Sequence, residues 1–300
     1  MVIKMRNSKF IGILITVIVY VIAFLGGAIC YLLLPFDFIL LKLLIADIGA
    51  TVIVYLGSVI FDNASIYDPY WSVAPMVLVL AFMFLTNIIN FYTILIVVLV
   101  EIWGLRLTVS CLRRFKNLNH QDWRYTYYKE KHPKVWQLIN FFGIHLMPTL
   151  IVYIGLLPAF AYIDAFSRVE FLNITLLFAI IVIITAIVIE CVADIQMDLF
   201  HKDLANQGKI NRKGLWKNSR HPNYFGEILF WFGLFLMYLA VEGTLWILVF
   251  CPLVIFLLFV AFTIPLMEKR QLKNKPDYAT YKKETNMLLP IWAPENNSKK

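Results

Sequence analysis

One stretch of the sequence, residues 214–227, concentrates residue types that can do chemistry. Arg220 offers five donors in a planar fork that suits a phosphate or a carboxylate. Pro222 fixes its own φ and keeps His221 out of the α region, so we expect a turn followed by a helix from about Asn223. The N–H groups of that first helical turn then make a ready anion site. On residue chemistry alone, a basic loop that caps a membrane helix is an equally good interpretation.

Three acidic residues upstream form a second candidate site. Glu190, Asp194 and Asp198 are spaced four residues apart, which stacks them on one helix face. Ionisable groups inside a membrane span are costly and mark functional sites by default. Such a carboxylate ladder, close to Arg220, can hold ribose hydroxyls or orient the arginines that hold phosphates. The alternative is a helix end that leaves the membrane, which explains Asp198 well and Glu190 poorly.

A third group of residues in the sequence could donate a proton to a substrate. The stretch 68–71 joins Asp68 and Tyr70, an acid and a phenol that together suit protonation of a carbonyl or an activated alkene. Tyrosine and tryptophan are also the usual anchors at a membrane interface, so this stretch has a structural interpretation too. Glu101 lies inside an apolar block, about one turn from Arg106, and the two charges can neutralise each other. We take Asp68, Tyr70 and Glu101 as the candidate catalytic residues.

The C-terminal tail contributes aromatic residues rather than a metal site. Tyr278 and Tyr281, three apart on a short predicted helix, suit packing under an adenine or lining the membrane surface. The histidines have no metal-ligand spacing such as H-x-x-x-H, so we expect no metal. The four cysteines stand singly in or beside apolar blocks and are predicted to be packing residues.

The amino-acid composition indicates the kind of structure that positions these side chains. The 300-residue chain is 61% hydrophobic and only 15% charged, far from a soluble domain, in which about a quarter of residues are charged. The apolar residues come in long blocks, which predicts an all-α, polytopic membrane helix bundle. The net charge of +8 comes from basic residues between these blocks, so it indicates topology rather than nucleic-acid binding.

The blocks predict about eight transmembrane helices. The run 73–109 is about twice the length of a span and is interrupted by Asn87 and Asn90, so we interpret it as two helices. The last two spans are predicted to form a hairpin around Glu242–Gly243. With eight spans, the four segments that hold most of the 27 Lys and Arg residues fall on one face, which predicts that both termini are cytosolic. We divide the chain into a hairpin of two spans, 1–67, and a functional domain, 68–300.

These motifs resemble a known family. The stretch 214–227 resembles the signature of the steroid 5-alpha-reductase superfamily, in particular its branch of membrane proteins with the 5-alpha-reductase C-terminal domain. The resemblance covers roughly Asp68 to Trp292. Further matching stretches follow in the expected order: 103–106, 140–145, 193–196 and 268–290.

The resemblance implies a membrane reductase that uses NADPH to reduce a double bond conjugated to a carbonyl in a lipid-soluble substrate. It places Trp103 at or near the family's catalytic tyrosine, so the proton donor has either moved to Tyr70 or been lost. It implies a multi-pass protein of the endoplasmic reticulum in a eukaryote or of the inner membrane in a bacterium. The residues it implies for NADPH binding are Asp194, Asp198, Lys217, Arg220, His221, Asn223, Tyr224, Glu227, Glu268, Tyr278 and Tyr281.

Two other functions stay open. Membrane methyltransferases of the isoprenylcysteine or phospholipid type also carry an Arg-His-Pro-x-Tyr-x-Gly turn, which they use for S-adenosylmethionine. They tend to have paired glutamates after the last span, where this chain has Glu268 followed by Lys269 and Arg270. A non-catalytic lipid-binding relative is the third possibility, because a fold does not imply a function.

Overall fold

A computed structural model describes residues 7–165, 173–241, 244 and 246–291. The predicted turn at Glu242–Gly243 and the predicted end of the resemblance at Trp292 lie outside these ranges. The described residues are helical, apart from loops and one isolated bridge between Ser219 and Asn286. The helices are α1 Lys9–Leu33, α2 Ile39–Ile60, α3 Tyr70–Thr86, α4 Phe91–Arg114, α5 Trp123–Lys131, α6 Met147–Ala165, α7 Ile174–Lys202, α8 Leu215–Asn218, α9 Pro222–Val241, α10 Phe250–Leu257, α11 Ile264–Asn274 and α12 Tyr278–Glu284.

Shorter helical segments extend some of these helices. A π helix, Ile139–Leu146, leads directly into α6, and a second π helix, Leu258–Thr263, joins α10 to α11. Short 3₁₀ turns also occur, among them Ala64–Ile66 just before α3. In a π helix the hydrogen bonds run from residue i to i+5, and such segments are frequent at functional sites.

Eight helical segments in the described ranges are long and apolar enough to cross a membrane. This confirms the predicted all-α polytopic bundle of eight spans; the cytosolic placement of both termini stays a prediction. The spans are Lys9–Leu33, Ile39–Ile60, Ala64–Thr86, Phe91–Arg114, Pro133–Ala165, Ile174–Lys202, Pro222–Val241 and Trp246–Asn274.

The turn between α3 and α4 divides the long apolar run as predicted. Asn87 adopts the left-handed conformation with φ of 55°, which ends α3. The Asn90 side chain accepts from the N–H groups of Tyr92 and Thr93, both at 3.0 Å, and the Thr93 hydroxyl accepts from the Asn90 N–H at 3.0 Å. This reciprocal capping box starts α4.

The chain forms two compact units, whose sequence boundary falls within α6: unit 1 is Met1–Leu156 and unit 2 is Leu157–Lys300. The domain boundary predicted between residues 67 and 68 stays a prediction. In unit 1, the Tyr20 hydroxyl donates to the Ile66 carbonyl at 2.7 Å, which ties α1 to the segment before α3. The Asn63 amide donates to the Leu118 carbonyl at 2.8 Å and so anchors the loop after α4.

Close packing of α7 against α9 is the main feature of unit 2. Gly226 and Gly233 of α9 face Ala186 and Ile183 of α7, and the absence of side chains lets the two backbones approach. This packing fixes the start of α9, which carries the residues of the predicted cofactor turn.

We expect Gly226→Ala to lower the free energy of unfolding by about 1–3 kcal/mol, the usual cost of overpacking. Its Cβ would lie 2.4 Å from the Glu190 Cγ and 2.8 Å from the Ala186 carbonyl oxygen. Denaturant or thermal unfolding in detergent measures the change. The control is Gly143→Ala, whose Cβ meets its nearest neighbour at 3.9 Å and should cost no more than about 0.5 kcal/mol. Equal stability of the two variants would contradict the packing described here.

Candidate functional site

Arg220 lies buried at the centre of the predicted cofactor turn in unit 2. Its Nε donates to the Glu268 carboxylate at 2.6 Å. Its Nη1 donates to the Lys282 carbonyl at 3.0 Å and to the Thr285 carbonyl. The Arg220 guanidinium, which was predicted to hold a phosphate, therefore donates to α11 and the tail within the described ranges.

The tail docks on this turn through its backbone. The Arg220 N–H donates to the Asn286 carbonyl at 2.9 Å, and the Ser219 hydroxyl donates to the Leu288 carbonyl at 2.7 Å. From α12, the Tyr281 hydroxyl donates to the Trp216 carbonyl at 2.5 Å. The residues after α12 are thus held in one register against the segment that precedes α9.

Glu268 balances the charges of this cluster. Its buried carboxylate accepts from Arg220 and from the Lys282 Nζ at 2.6 Å each, and it lies 3.3 Å from the His221 Nε2. Burial lowers the pKa of His221, against the opposing effect of the Glu268 carboxylate. The imidazole is therefore neutral near pH 7, and its contact with a carboxylate assigns the proton to Nε2.

The two tail tyrosines keep their protons. Burial raises the pKa of Tyr278 to about 12 and also raises the pKa of Tyr281. The Arg212 guanidinium lies 5.2 Å from the centre of the Tyr281 ring and pairs with Glu284 at the surface. Both rings are buried in unit 2, where they support the turn that carries Arg220.

The helix α7, which carries the predicted acidic ladder, lies beside the short helix α8. The Trp216 indole donates to the Ala193 carbonyl at 3.0 Å, and the Gln196 side chain accepts from the Leu215 N–H at 2.9 Å. Of the predicted ladder, Glu190 is buried, whereas Asp194 and Asp198 are half-buried. The structure thus brings the helix of the ladder and the segment before Arg220 into contact.

The other predicted cofactor residues differ in accessibility. Lys217 is exposed and Asn223 is half-buried, so both side chains can reach a ligand. Tyr224 stacks on His221 with ring centres 5.3 Å apart, and the buried Glu227 accepts from the Trp231 indole at 3.1 Å. Lys217 and Asn223 are therefore the accessible donors of the turn.

A polar cleft of about 340 Å³ opens after the C-terminal end of α7. His201, Lys209 and Lys275 line it, and the Lys275 Nζ donates to the Lys209 carbonyl at 2.8 Å. Partial burial lowers the pKa of Lys275. The cleft begins three residues after Asp198 in sequence, so unit 2 combines an acidic helix face with a basic cleft.

In unit 1, the acid that pairs with Tyr70 is Asp47. The Tyr70 hydroxyl donates to the Asp47 Oδ1 at 2.7 Å, and both side chains are buried. The predicted partner, Asp68, instead accepts from the Tyr125 hydroxyl at 2.6 Å. Residues two apart at a helix start do not face each other, which is why neighbours in sequence are not partners in the structure.

The sequence carried a signal for Asp47 that the prediction left unused. It is a single acid inside the second apolar block, and intramembrane acids mark functional sites by default. Its Oδ1 accepts from the Tyr70 hydroxyl, whereas its buried Oδ2 has no hydrogen-bond partner among the residues that the structure describes. A buried polar atom without a partner is costly, which makes Asp47 a candidate functional residue.

Glu101, the third candidate catalytic residue, stands apart from this pair. It is half-buried on α4, and among the described residues no hydrogen bond joins it to Asp47, Asp68 or Tyr70. Trp103, two residues later, is fully buried. Burial raises the pKa of Tyr125, so that phenol keeps its proton and donates to Asp68. No group of three or more His, Cys, Asp or Glu side chains within the described ranges could hold a metal ion.

Comparisons with known proteins give a family. The chain is 26% identical over 262 residues to an uncharacterized protein of Schizosaccharomyces pombe, C594.04c, covering 78% of this chain and 74% of that protein. No solved structure matches. Residues 54–285 match a family described as "Protein of unknown function (DUF1295)". This match covers more than half of the sequence, and the chain therefore belongs to the DUF1295 family.

Proposed function

We propose that the protein is an integral-membrane, NADPH-dependent reductase that acts on a conjugated double bond of a lipid-soluble substrate of the sterol, enone or enoyl-lipid type. The observation that carries the proposal is the buried Asp47–Tyr70 pair, an acid and a phenol 2.7 Å apart inside membrane-spanning segments. An ionisable group at such a place is costly, so its presence favours a chemical role.

The Asp47–Tyr70 pair can deliver the proton that such a reduction requires from the protein. Reduction of a conjugated double bond needs a hydride, which bound NADPH provides, and a proton, which a side chain must deliver. Tyr70 donates to one oxygen of Asp47, while the other oxygen has no hydrogen-bond partner in the described part of the chain. A protonated Asp47 can donate from that second oxygen to the substrate. Tyr70 then orients the carboxyl group and, through its hydrogen bond to Oδ1, stabilises the carboxylate that the transfer leaves.

The turn 214–227 supports the choice of cofactor through its resemblance to the steroid 5-alpha-reductase superfamily. We propose that Arg220, bonded to Glu268 and to tail carbonyls, mainly shapes this turn. Direct contacts with the dinucleotide then come from the accessible Lys217 and Asn223, together with the acidic face of α7. The helix start at α9 offers N–H groups to a phosphate.

An S-adenosylmethionine-dependent methyltransferase is the second candidate. The cluster of Arg220, His221 and Glu268 favours it, because it joins an Arg-His pair to a buried glutamate. Methyl transfer, however, gives no role to a buried proton donor such as the Asp47–Tyr70 pair. A non-catalytic lipid-binding protein would likewise leave the pair without a function.

Nucleotide binding to the purified protein in detergent separates these functions. We expect NADPH to raise the melting temperature and S-adenosylmethionine to leave it unchanged. A ligand at 100 times its Kd stabilises the folded state by about 2.7 kcal/mol. The variant Lys217→Ala should reduce the shift, whereas Lys116→Ala, an exposed lysine of unit 1, should not. A melting temperature that rises with S-adenosylmethionine alone would favour the methyltransferase over the reductase. No shift with either ligand would favour the lipid-binding protein.

A further inference from the structure

The polar cleft after α7 lies where two membrane-spanning segments of unit 2 end. The segment Ile174–Lys202 contributes His201 from its last turn. The segment Trp246–Asn274 ends one residue before Lys275, which also lines the cleft. The Lys275 Nζ donates to the Lys209 carbonyl at 2.8 Å, so the chain after one segment is tied to the chain after the other. A cleft formed where two spans end is placed at the membrane surface.

The acid that lines the cleft, Asp203, is engaged by the turn to which it belongs. Its Oδ1 accepts from the Ala205 N–H at 2.9 Å, and its Oδ2 accepts from the Asn206 amide at 3.4 Å. The Asn206 amide also donates to the Phe200 carbonyl at 3.1 Å, which ties the turn back to α7. The Asp203 carboxylate therefore shapes the wall of the cleft and is not paired with one of its lysines.

The basic residues of the cleft keep donors for a ligand. The Lys275 ammonium group has three N–H donors, one of which is bonded to the Lys209 carbonyl. Partial burial lowers the pKa of Lys275, and within the described ranges no carboxylate forms an ion pair with this ammonium group. The Lys209 side chain is exposed, and the His201 ring adds an N–H donor. Because burial without a counter-charge disfavours a cation, an anion in the cleft would stabilise it.

Leu204 gives the same cleft an apolar edge. It lines the cleft and is 84% exposed, although it stands in a polar turn. Leu199, in the last turns of α7, is 60% exposed. At the membrane surface such side chains can contact lipid tails, which are as apolar as leucine. Donors for an anion and an apolar contact for a hydrocarbon chain therefore occur side by side.

We propose that this cleft binds the phosphate group of an anionic membrane lipid, with Lys209 and Lys275 at the headgroup and Leu204 against an acyl chain. Ammonium groups bind phosphate as point charges. The volume of about 340 Å³ lies within the usual range for small-molecule sites, about 300–1,000 Å³. A soluble phosphate ester presents the same group, but it offers no apolar partner to Leu204. The inference goes beyond the proposed function and does not depend on it.

Titration of the purified protein with phosphatidic acid tests the site. The delipidated protein in detergent receives increasing amounts of this lipid, and native mass spectrometry measures the fraction of protein that holds one lipid. We expect Lys209→Gln and Lys275→Gln to weaken binding about fivefold each, the contribution of one lysine near an anionic lipid. Lys275→Arg, which keeps the charge, should retain the affinity. Melting temperatures show that each variant is folded.

Lys134→Gln is the matched control. Lys134 is an exposed lysine at the start of the membrane-spanning segment Pro133–Ala165 and does not line the cleft. Its replacement should change the affinity less than twofold. Equal losses in the cleft variants and in the control would show a diffuse attraction between charges and overturn the site. Phosphatidylcholine, whose headgroup carries no net charge, should bind at least tenfold more weakly than phosphatidic acid, and equal binding of the two would also overturn it.

Glycerol 3-phosphate distinguishes a lipid from a soluble phosphate ester. It carries the phosphate group of phosphatidic acid without the acyl chains, and we expect a hundredfold excess to leave the bound lipid in place. Leu204→Ser should weaken the binding of phosphatidic acid about tenfold, because it removes a leucine side chain that the lipid would bury. Displacement of the lipid by glycerol 3-phosphate, or an unchanged affinity in Leu204→Ser, would overturn a lipid as the occupant.

Discussion

Arg220→Ala should lower the free energy of unfolding by about 3 kcal/mol and release the tail from unit 2. Breaking a buried ion pair costs about 3–5 kcal/mol because it leaves a charge buried without compensation. Here the charge is Glu268, buried beneath Arg220, and the lower end of the range applies because Lys282 still pairs with it. The lost donors also leave the carbonyls of Lys282 and Thr285 without the guanidinium.

Thermal unfolding and limited trypsin digestion measure both effects of Arg220→Ala. Trypsin should cut faster at Lys282 and Lys283, because both lie in α12 and become accessible to the protease when α12 is released. The matched control is Arg212→Ala, which removes an exposed pair with Glu284 and should cost about 0–1 kcal/mol. Replacing Arg220 and Glu268 together by apolar residues should recover part of the lost stability. Similar melting temperatures for the Arg220 and Arg212 single variants would show that the tail is held by other contacts.

Asp47→Asn should lower kcat by about 10²–10⁴-fold if the protein is the proposed reductase, the usual contribution of a positioned general acid. The amide has nearly the shape of the carboxyl group but cannot deliver its proton. NADPH affinity should not change, since Asp47 is not among the proposed cofactor contacts. Tyr70→Phe should also lower kcat, because it removes the donor to the Asp47 Oδ1.

A separate binding measurement keeps the Asp47 experiment interpretable. Steady-state turnover gives kcat, and the NADPH-induced melting shift shows whether the variant still binds. Tyr153→Phe is the control, because it also removes a phenol from a membrane helix, here one that donates to the Leu40 carbonyl. Full turnover in a folded Asp47→Asn variant would exclude the carboxyl group as the proton donor.

Local features of the fold were predictable because their signals are contained in short stretches. Block length and charge indicated the eight spans. Asn87 and Asn90 marked the turn inside residues 73–109 because one asparagine tolerates the left-handed conformation and the other caps a helix. The start of α9 was predicted at about Asn223 from the fixed φ of proline, and the helix begins one residue earlier, at Pro222.

Partners distant in sequence were not predictable in this way. Asp47 and Tyr70 are 23 residues apart and meet only because α2 packs beside the start of α3. Arg220 meets Glu268 across 48 residues, so its chemistry suggested a phosphate before its internal partner was visible. The π helix that aligns Asn140 with His145 has no local sequence signal comparable to a cap or a proline.

The docking of the tail has a consequence for how this region can vary among relatives. The turn recognises the residues after α12 through main-chain oxygens, those of Thr285, Asn286 and Leu288. Every amino acid presents such an oxygen, so these three contacts do not themselves depend on which side chains stand at these positions. The number of residues is not free, because one insertion or deletion shifts every oxygen past its donor. Length, rather than identity, is what natural selection would preserve there.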